Sequence, residues 1–395
     1  MLDFSGYYNF INTLFCASLC SYKSERKKFE ISYWKIFYCS INFILVPTLY
    51  IDDQKFLKTG VIITSGNLTL MVLLFQSFCQ HAISTVLLLY KLLSVKDEVT
   101  YRNQYLKFEE SFNESLHKRL IVPPSKRDYR TTLHFVNSVI LFIFQLISLF
   151  IVMLQVVRDP SRGVLFILGY ILNYFQVIAS GNSFLDGVIQ YKFMISCINE
   201  TLLHNLNIIK FEVNSKSKPH CMITSCSISD NINKLQEFNS KIHFLFFELV
   251  NYESSTMIIV FCHKFLEIII PFFYQFIIRY VYVEEYHNAP EFYVFALGYT
   301  LCNIISIVLY IVACEMIQQE MATTGKILHE FPIHKVDDRL KESISQFSIQ
   351  ILQEKRPISL CGMFNVDNTL LYSMISSMTS YLILLIQFQL QGIGL

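Results

Sequence analysis

Apolar residues gather in seven runs along the chain, at roughly 32–51, 62–90, 132–157, 163–191, 255–283, 291–317 and 366–390. A helix needs about 20 residues to cross the hydrocarbon core of a bilayer, and each run supplies them. Runs longer than that tilt or project beyond the bilayer as helix. Three connections are short (52–61, 158–162, 284–290) and three are long and polar (91–131, 192–254, 318–365). The long connections have a helical period of their own. Leu235, Phe238, Ile242, Leu245 and Phe246 repeat at that spacing in 226–250, as do Leu340, Ile344, Phe347 and Ile351 in 336–355. Pro357 closes the second of these helices. Both read as amphipathic helices that pack against one another beneath the membrane. Residues 1–30 read as a segment outside the membrane, helical in part. Their short apolar stretch at 10–19 precedes the basic cluster, whereas a cleavable leader has its basic residues first.

Composition agrees with the pattern. Of the 395 residues, 53% are hydrophobic and 16% charged, where a soluble chain has about a quarter charged. The expected fold is all-α: a polytopic membrane protein of seven transmembrane helices in a single unit, with helix extensions on the cytoplasmic side. Twenty-five of the 32 Lys and Arg residues lie in the N-terminal segment and the long connections. Five lie on the opposite side (Lys55, Lys58, Arg158, Arg162, Arg279), and Lys35 and Lys264 fall within spans. Basic residues stay in the cytoplasm, so the N-terminus is expected inside and the C-terminus outside. None of the 11 cysteines falls in the short outer loops, which leaves no extracellular disulfide framework to read.

The last run carries the most specific pattern. Alternating steps of four and three pick out Ser373, Ser377, Ser380, Leu384, Gln387 and Gln391, a heptad-type seam with one apolar member. Polar groups at membrane depth must face protein or water, because lipid offers them no partner. Two readings fit equally: close helix packing through small hydroxyl residues, or a pore lining repeated around a symmetry axis.

The stretch CGMFNVDNTLLYSMISSMTSYLILLIQFQ, residues 361–389, resembles the C-terminal signature of insect gustatory receptors. That signature is Thr-Tyr, five hydrophobic residues, then Gln-Phe. Here it reads Ser380, Tyr381, five hydrophobic residues, Gln387, Phe388, with Ser in place of Thr. The lead-in Phe364-Asn365-Val366-Asp367 is similar too. The resemblance implies a ligand-gated, non-selective cation channel of the plasma membrane. Four subunits, identical or related, would place their last helices around one pore, and cytoplasmic helices would supply most subunit contacts. Carried over residue by residue, Gln387 would line the pore with Ser380 and Gln391, and Leu384 would form a constriction that gates by dewetting.

A tastant-type ligand needs a site reachable from outside. The outer halves of the spans offer Tyr170, Asn173, Tyr174 and Gln176 in the fourth, Phe272, Phe273, Tyr274 and Gln275 in the fifth, and Tyr293, Tyr299 and Asn303 in the sixth. Aromatic walls with a few amides and hydroxyls are the usual make-up of a small-molecule pocket. Two other classes of seven-helix protein fit the sequence less well. A G-protein-coupled receptor has the opposite orientation and would show Asn-Pro-x-x-Tyr in its last span, which this chain lacks. A transporter would use ionisable groups near mid-membrane. The candidates Asp186, Lys264, Glu267 and Glu315 read instead as ion pairs near the inner boundary, with Lys264 and Glu267 close enough in sequence to satisfy each other. No metal-ligand spacing, phosphate loop, nucleophile motif or nucleic-acid signature is present, so neither cofactor nor catalysis is expected.

Overall fold

The structure, a computed structural model, describes residues 13–56, 67–118, 120–123, 143–144, 146–147, 160–215, 218–280 and 290–393. Among the described residues there are eight α-helices: α1 Tyr33–Phe56, α2 Asn67–Leu93, α3 Val95–His117, α4 Pro160–Ser215, α5 Lys218–Tyr280, α6 Pro290–His329, α7 Asp338–Glu354 and α8 Asn368–Ile393. Four stretches among the described residues are long and apolar enough to cross a membrane: Tyr33–Ile51, Met222–Ile277, Ala296–Lys335 and Asn368–Gln391. Leu74–Leu93 of α2 and Val95–His117 of α3 pass the same test only when taken together, and they are bent by 62° at the break between them. The run expected at 132–157 lies outside the described residues apart from four positions.

Helices α4 and α5 have 56 and 63 residues. At 1.5 Å per residue each exceeds about 80 Å, against a hydrocarbon core of about 30 Å, so both run on as the frame of a second layer. The amphipathic stretches 226–250 and 336–355 are the lower part of α5 and helix α7, and they do pack together. Leu235, Ile242, Leu340, Ile344 and Phe347 are buried in one continuous core with α4 and α6. The Ser229 and Ser343 hydroxyls meet at 2.8 Å, and Ser240 donates to Glu354 at 3.0 Å. Close approach inside the bundle needs Gly181 on α4. A Cβ there would come within 2.6 Å of the Tyr310 hydroxyl on α6 and 3.2 Å of Val260 on α5.

The N-terminal segment adds strands to the helical expectation, much of which falls on residues 1–12, outside the described ones. Strands β1 (Cys20–Lys23) and β2 (Lys28–Ile31) form an antiparallel hairpin, with Cys20 opposite Ile31 and Lys23 opposite Lys28. The turn between them places Lys27 in the left-handed region at φ 45°. The hairpin's outer edge is completed by a side chain. Asn103 of α3 accepts from the Phe29 N–H at 2.7 Å and donates to the Phe29 carbonyl at 2.9 Å, as a neighbouring strand would. Glu98, one turn and a half earlier on α3, accepts from the Ser18 hydroxyl (2.6 Å), the Leu19 N–H (3.2 Å) and Arg102 Nε (2.9 Å). Local strand propensity alone is weak over four residues; tertiary partners decide the conformation.

A second small hairpin, β3 (Ser359–Leu360) with β4 (Phe364–Asn365), leads into α8. Asp367 then caps α8, its Oδ1 accepting from the N–H groups of Thr369 (2.9 Å) and Leu370 (3.2 Å).

Candidate functional site

Helix α8 is seated on the subunit by one face only. Leu382, Leu385 and Ile386 pack against a cluster of Val72, Ile270, Phe273 and Ile277 from α2 and α5. Lower down, Leu370, Leu371, Met374 and Met378 pack on the main core. The other side is open. Ser373, Ser377, Ser380, Leu384, Gln387 and Gln391 are all exposed, and none of the most apolar window of α8 is buried within the subunit. The predicted seam therefore occupies the face turned away from its own subunit. Ser380 returns its hydroxyl to the Ser376 carbonyl at 3.0 Å, and Leu384 is 46% exposed. Of the other signature residues, Phe388 is exposed and Tyr381 stands edge-on to Phe265 at 6.1 Å.

Inside the bundle, a polar cluster joins four helices. Lys264 and Glu267 of α5 are both fully buried, and both reach beyond their own helix. Lys264 Nζ donates to Asn303 Oδ1 on α6 at 2.7 Å and lies 5.2 Å from the centre of the Tyr174 ring on α4. Glu267 accepts from Gln76 (3.3 Å) and Gln80 (3.0 Å) on α2 and from the Tyr299 hydroxyl on α6 (2.5 Å). Tyr174 donates to Asn303 at 2.8 Å and packs its ring against Tyr299 at 5.3 Å and His263 at 5.6 Å. Two opposite charges in one cluster, each with neutral dipoles around it, meet the requirement for burying ions away from water.

Beyond the expected pairing with each other, Lys264 and Glu267 each take partners from other helices. Glu267 lies 13 residues before the last residue of α5, Tyr280, about 20 Å along the axis, and its partners Gln76 and Tyr299 lie well inside α2 and α6. The pair belongs to the interior of the bundle. Both ring nitrogens of His263, which packs on Tyr174, are unmet among the described residues, as are both side-chain atoms of Asn173 and Nε2 of Gln176 on α4.

Of the residues expected in a pocket, Tyr174, Tyr299 and Asn303 belong to this cluster, and Asn173 and Gln176 are buried on α4 on either side of Tyr174 in sequence. Phe273 and Tyr274 are placed elsewhere, in the seat that receives α8, and Phe272 packs against the main core. Gln275 is half-buried, with Nε2 unmet among the described residues. The side chains of Tyr170 and Tyr293 lie outside the described set. Sequence reasoning missed Gln76, Gln80 and His263. The first two were legible as amides one turn apart in an apolar run, a pattern that is expensive in lipid.

The profile of the 7tm chemosensory receptor family matches residues 4–392. Among curated relatives, a Drosophila melanogaster protein assigned as gustatory receptor 28b is 29% identical over 105 residues, 27% of this chain and 22% of that protein. The gustatory receptor for bitter taste 66a, also from Drosophila melanogaster, is 38% identical over 72 residues, 18% of this chain and 14% of that protein. These matches thus span less than a quarter of the relatives' own lengths. Among solved structures, the insect olfactory receptor OR5 from Machilis hrabei in complex with eugenol shares the fold. Its TM-score is 0.62 at 13% identity, over 98% of this chain and 99% of that one.

Proposed function

Because this chain belongs to the 7tm chemosensory receptor family, we propose that it is a taste receptor working as a ligand-gated, non-selective cation channel. In this reading it is one seven-helix unit of the plasma membrane with a cytoplasmic N-terminus. The observation that carries the channel is the open face of α8, where Ser373, Ser377, Ser380, Gln387 and Gln391 are all exposed rather than packed on their own subunit. Lipid cannot satisfy such groups; water in a pore can. Four copies converging on an axis would turn Leu384 into a hydrophobic ring and Gln387 into a ring of neutral dipoles beside it.

The polar cluster under Tyr174, Tyr299 and Asn303 is the ligand site of this reading. Relatives named as gustatory receptors, one of them for bitter taste, support a tastant. The eugenol complex of the structural neighbour supports a small organic molecule. The site's two charges balance, so a neutral ligand enters without leaving a buried charge uncompensated. The G-protein-coupled alternative falls with the family assignment.

Subunit contacts are proposed on the same cytoplasmic segments. The apolar faces of 226–250 and 336–355 are largely consumed within the subunit. Partners would meet instead on what stays open, including Phe244, Ile349, Leu352, Met363 and Tyr372.

The test is expression in a heterologous cell, alone and with related receptors, with currents recorded against a ligand panel. Ligand-evoked cation current supports the reading; surface-expressed protein that stays silent to every ligand in every pairing defeats it. Epitopes at residue 1 and after Leu395 report orientation in intact cells, and cross-linking reports the number of subunits.

A further inference from the structure

The N-terminal hairpin is built like a membrane contact. Residues 22–28, which include Lys23, Arg26, Lys27 and Lys28, are all exposed. Arg26 and Lys28 are drawn together by Glu30, at 2.9 and 3.2 Å. Lys23 and Lys27 have no acidic partner among the described residues. Directly after β2, the first turns of α1 present Tyr33, Trp34 and Phe37 at 82%, 72% and 57% exposure, an extreme value for a Trp in a folded chain. Trp and Tyr rings take such positions where a helix enters the headgroup region.

The hairpin does not hang free. Asn103 completes its edge, Arg102 lies 5.7 Å over the Phe29 ring, and Lys35 Nζ bonds the Cys20 carbonyl at 2.8 Å. Its carrier, α3, departs from the direction of α2 by 62°. With α2 along the bilayer normal, that bend lays α3 nearer the membrane plane than the normal. The basic hairpin is thereby held alongside the surface from which α1 rises.

We propose that the hairpin and the start of α1 form a docking site for anionic lipid of the cytoplasmic leaflet. Lys23 and Lys27 receive the headgroup phosphates, and Trp34 and Phe37 lie against the glycerol and upper acyl region. Net positive charge facing an anionic leaflet supplies the selectivity, and aromatic burial fixes the depth. The leaflet assignment rests on the orientation proposed above, whereas binding itself does not.

Trp34 is the only tryptophan in the chain, so its fluorescence reports this site alone. Full-length receptor is reconstituted into bilayers containing bromine-labelled phosphatidylserine or, at equal mole fraction, bromine-labelled phosphatidylcholine. The expected result is stronger quenching by the anionic lipid, with the preference reduced about tenfold in Lys23→Ser/Lys27→Ser. Both positions are exposed, and an unchanged Trp34 emission maximum in the variant shows the hairpin intact. Equal quenching by the two lipids, or a preference that survives the double substitution, overturns the proposal. The epitope experiment reads orientation separately: a site that selects anionic lipid on an externally placed N-terminus would sink the orientation and leave the binding.

Discussion

Tyr299 on α6 donates its hydroxyl to Glu267 on α5 across 2.5 Å, with the two side chains 4% and 0% exposed. The bond fastens two helices at the depth where the ligand is proposed to sit. Tyr299→Phe keeps the ring against Tyr174 and removes only the donor. Hydrogen bonds to a charged group are worth about 1.5–3 kcal/mol, so thermal unfolding of the purified variant is expected to show a loss of that order. The dose–response curve is expected to shift to higher ligand concentration with surface expression intact. Unchanged melting and unchanged half-saturation together would remove Tyr299 from both roles.

Leu384 and Gln387 are one short step apart on the open face of α8, about 4.5 Å along its axis. Leu384→Ser is expected to raise resting current severalfold, because a ring of serines stays wet. Gln387→Ala is expected to change cation permeability ratios with little change in half-saturation. Ile383→Ser is the control, being exposed yet off the seam. Leu385 would not serve, because it packs in the seat formed by Ile270 and Phe273. A Leu384→Ser channel that reaches the surface and stays closed at rest would reduce the seam to helix packing.

Lys91 at the foot of α2 places Nζ 3.2 Å from both oxygens of Glu253 on α5, with 1% and 5% of the side chains exposed. Lys91→Met leaves that carboxylate buried without its cation, an effect of about 3–5 kcal/mol. Adding Glu253→Leu is expected to restore most of the loss. A double-mutant cycle on melting temperature measures the coupling, and strict additivity would mean that the pair does not act as a unit.

Burial pushes the Glu98 carboxyl upward, but Arg102, Lys91, the Ser18 hydroxyl and the Leu19 N–H outweigh it, and the group titrates below the ordinary glutamate range. A depressed carboxylate contributes stability that is fully present above its unfolded value, about 4.3, and is lost as pH falls through the folded one. Glu98→Gln is therefore expected to melt earlier at neutral pH and to show a shallower decline below about pH 4 than the parent. Parallel curves for the two proteins would show that this clamp contributes nothing to acid sensitivity.

The helical frame was legible because lipid exposure and amphipathic packing both impose a period on side chains. Leu235, Ile242, Leu340 and Ile344 declared their shared core by spacing alone. The α8 seam was legible for the opposite reason, as polarity where lipid tolerates none. The polar cluster was not. Lys264 and Glu267 looked self-sufficient at three residues' separation, whereas Gln76 and Gln80 are 191 and 187 residues distant from Glu267. The β1–β2 hairpin was hidden for the same reason, since its edge is completed by Asn103, 74 residues beyond Phe29. Aromatic content misdirected one choice. Phe273 resembles a pocket wall in composition but serves as the seat of α8.

A helix held by one face also acts as an inspection mark. Until other copies arrive, each newly made chain shows Ser377, Ser380, Gln387 and Gln391 to surroundings that cannot bond them. Cellular machinery that retains membrane proteins with exposed intramembrane polarity would find its signal there, on the same residues proposed to line the pore. In the proposed channel, export and conduction would both be read from one strip of side chains. A substitution that makes the strip greasy would let orphan chains escape to the surface as surely as it would dry the pore.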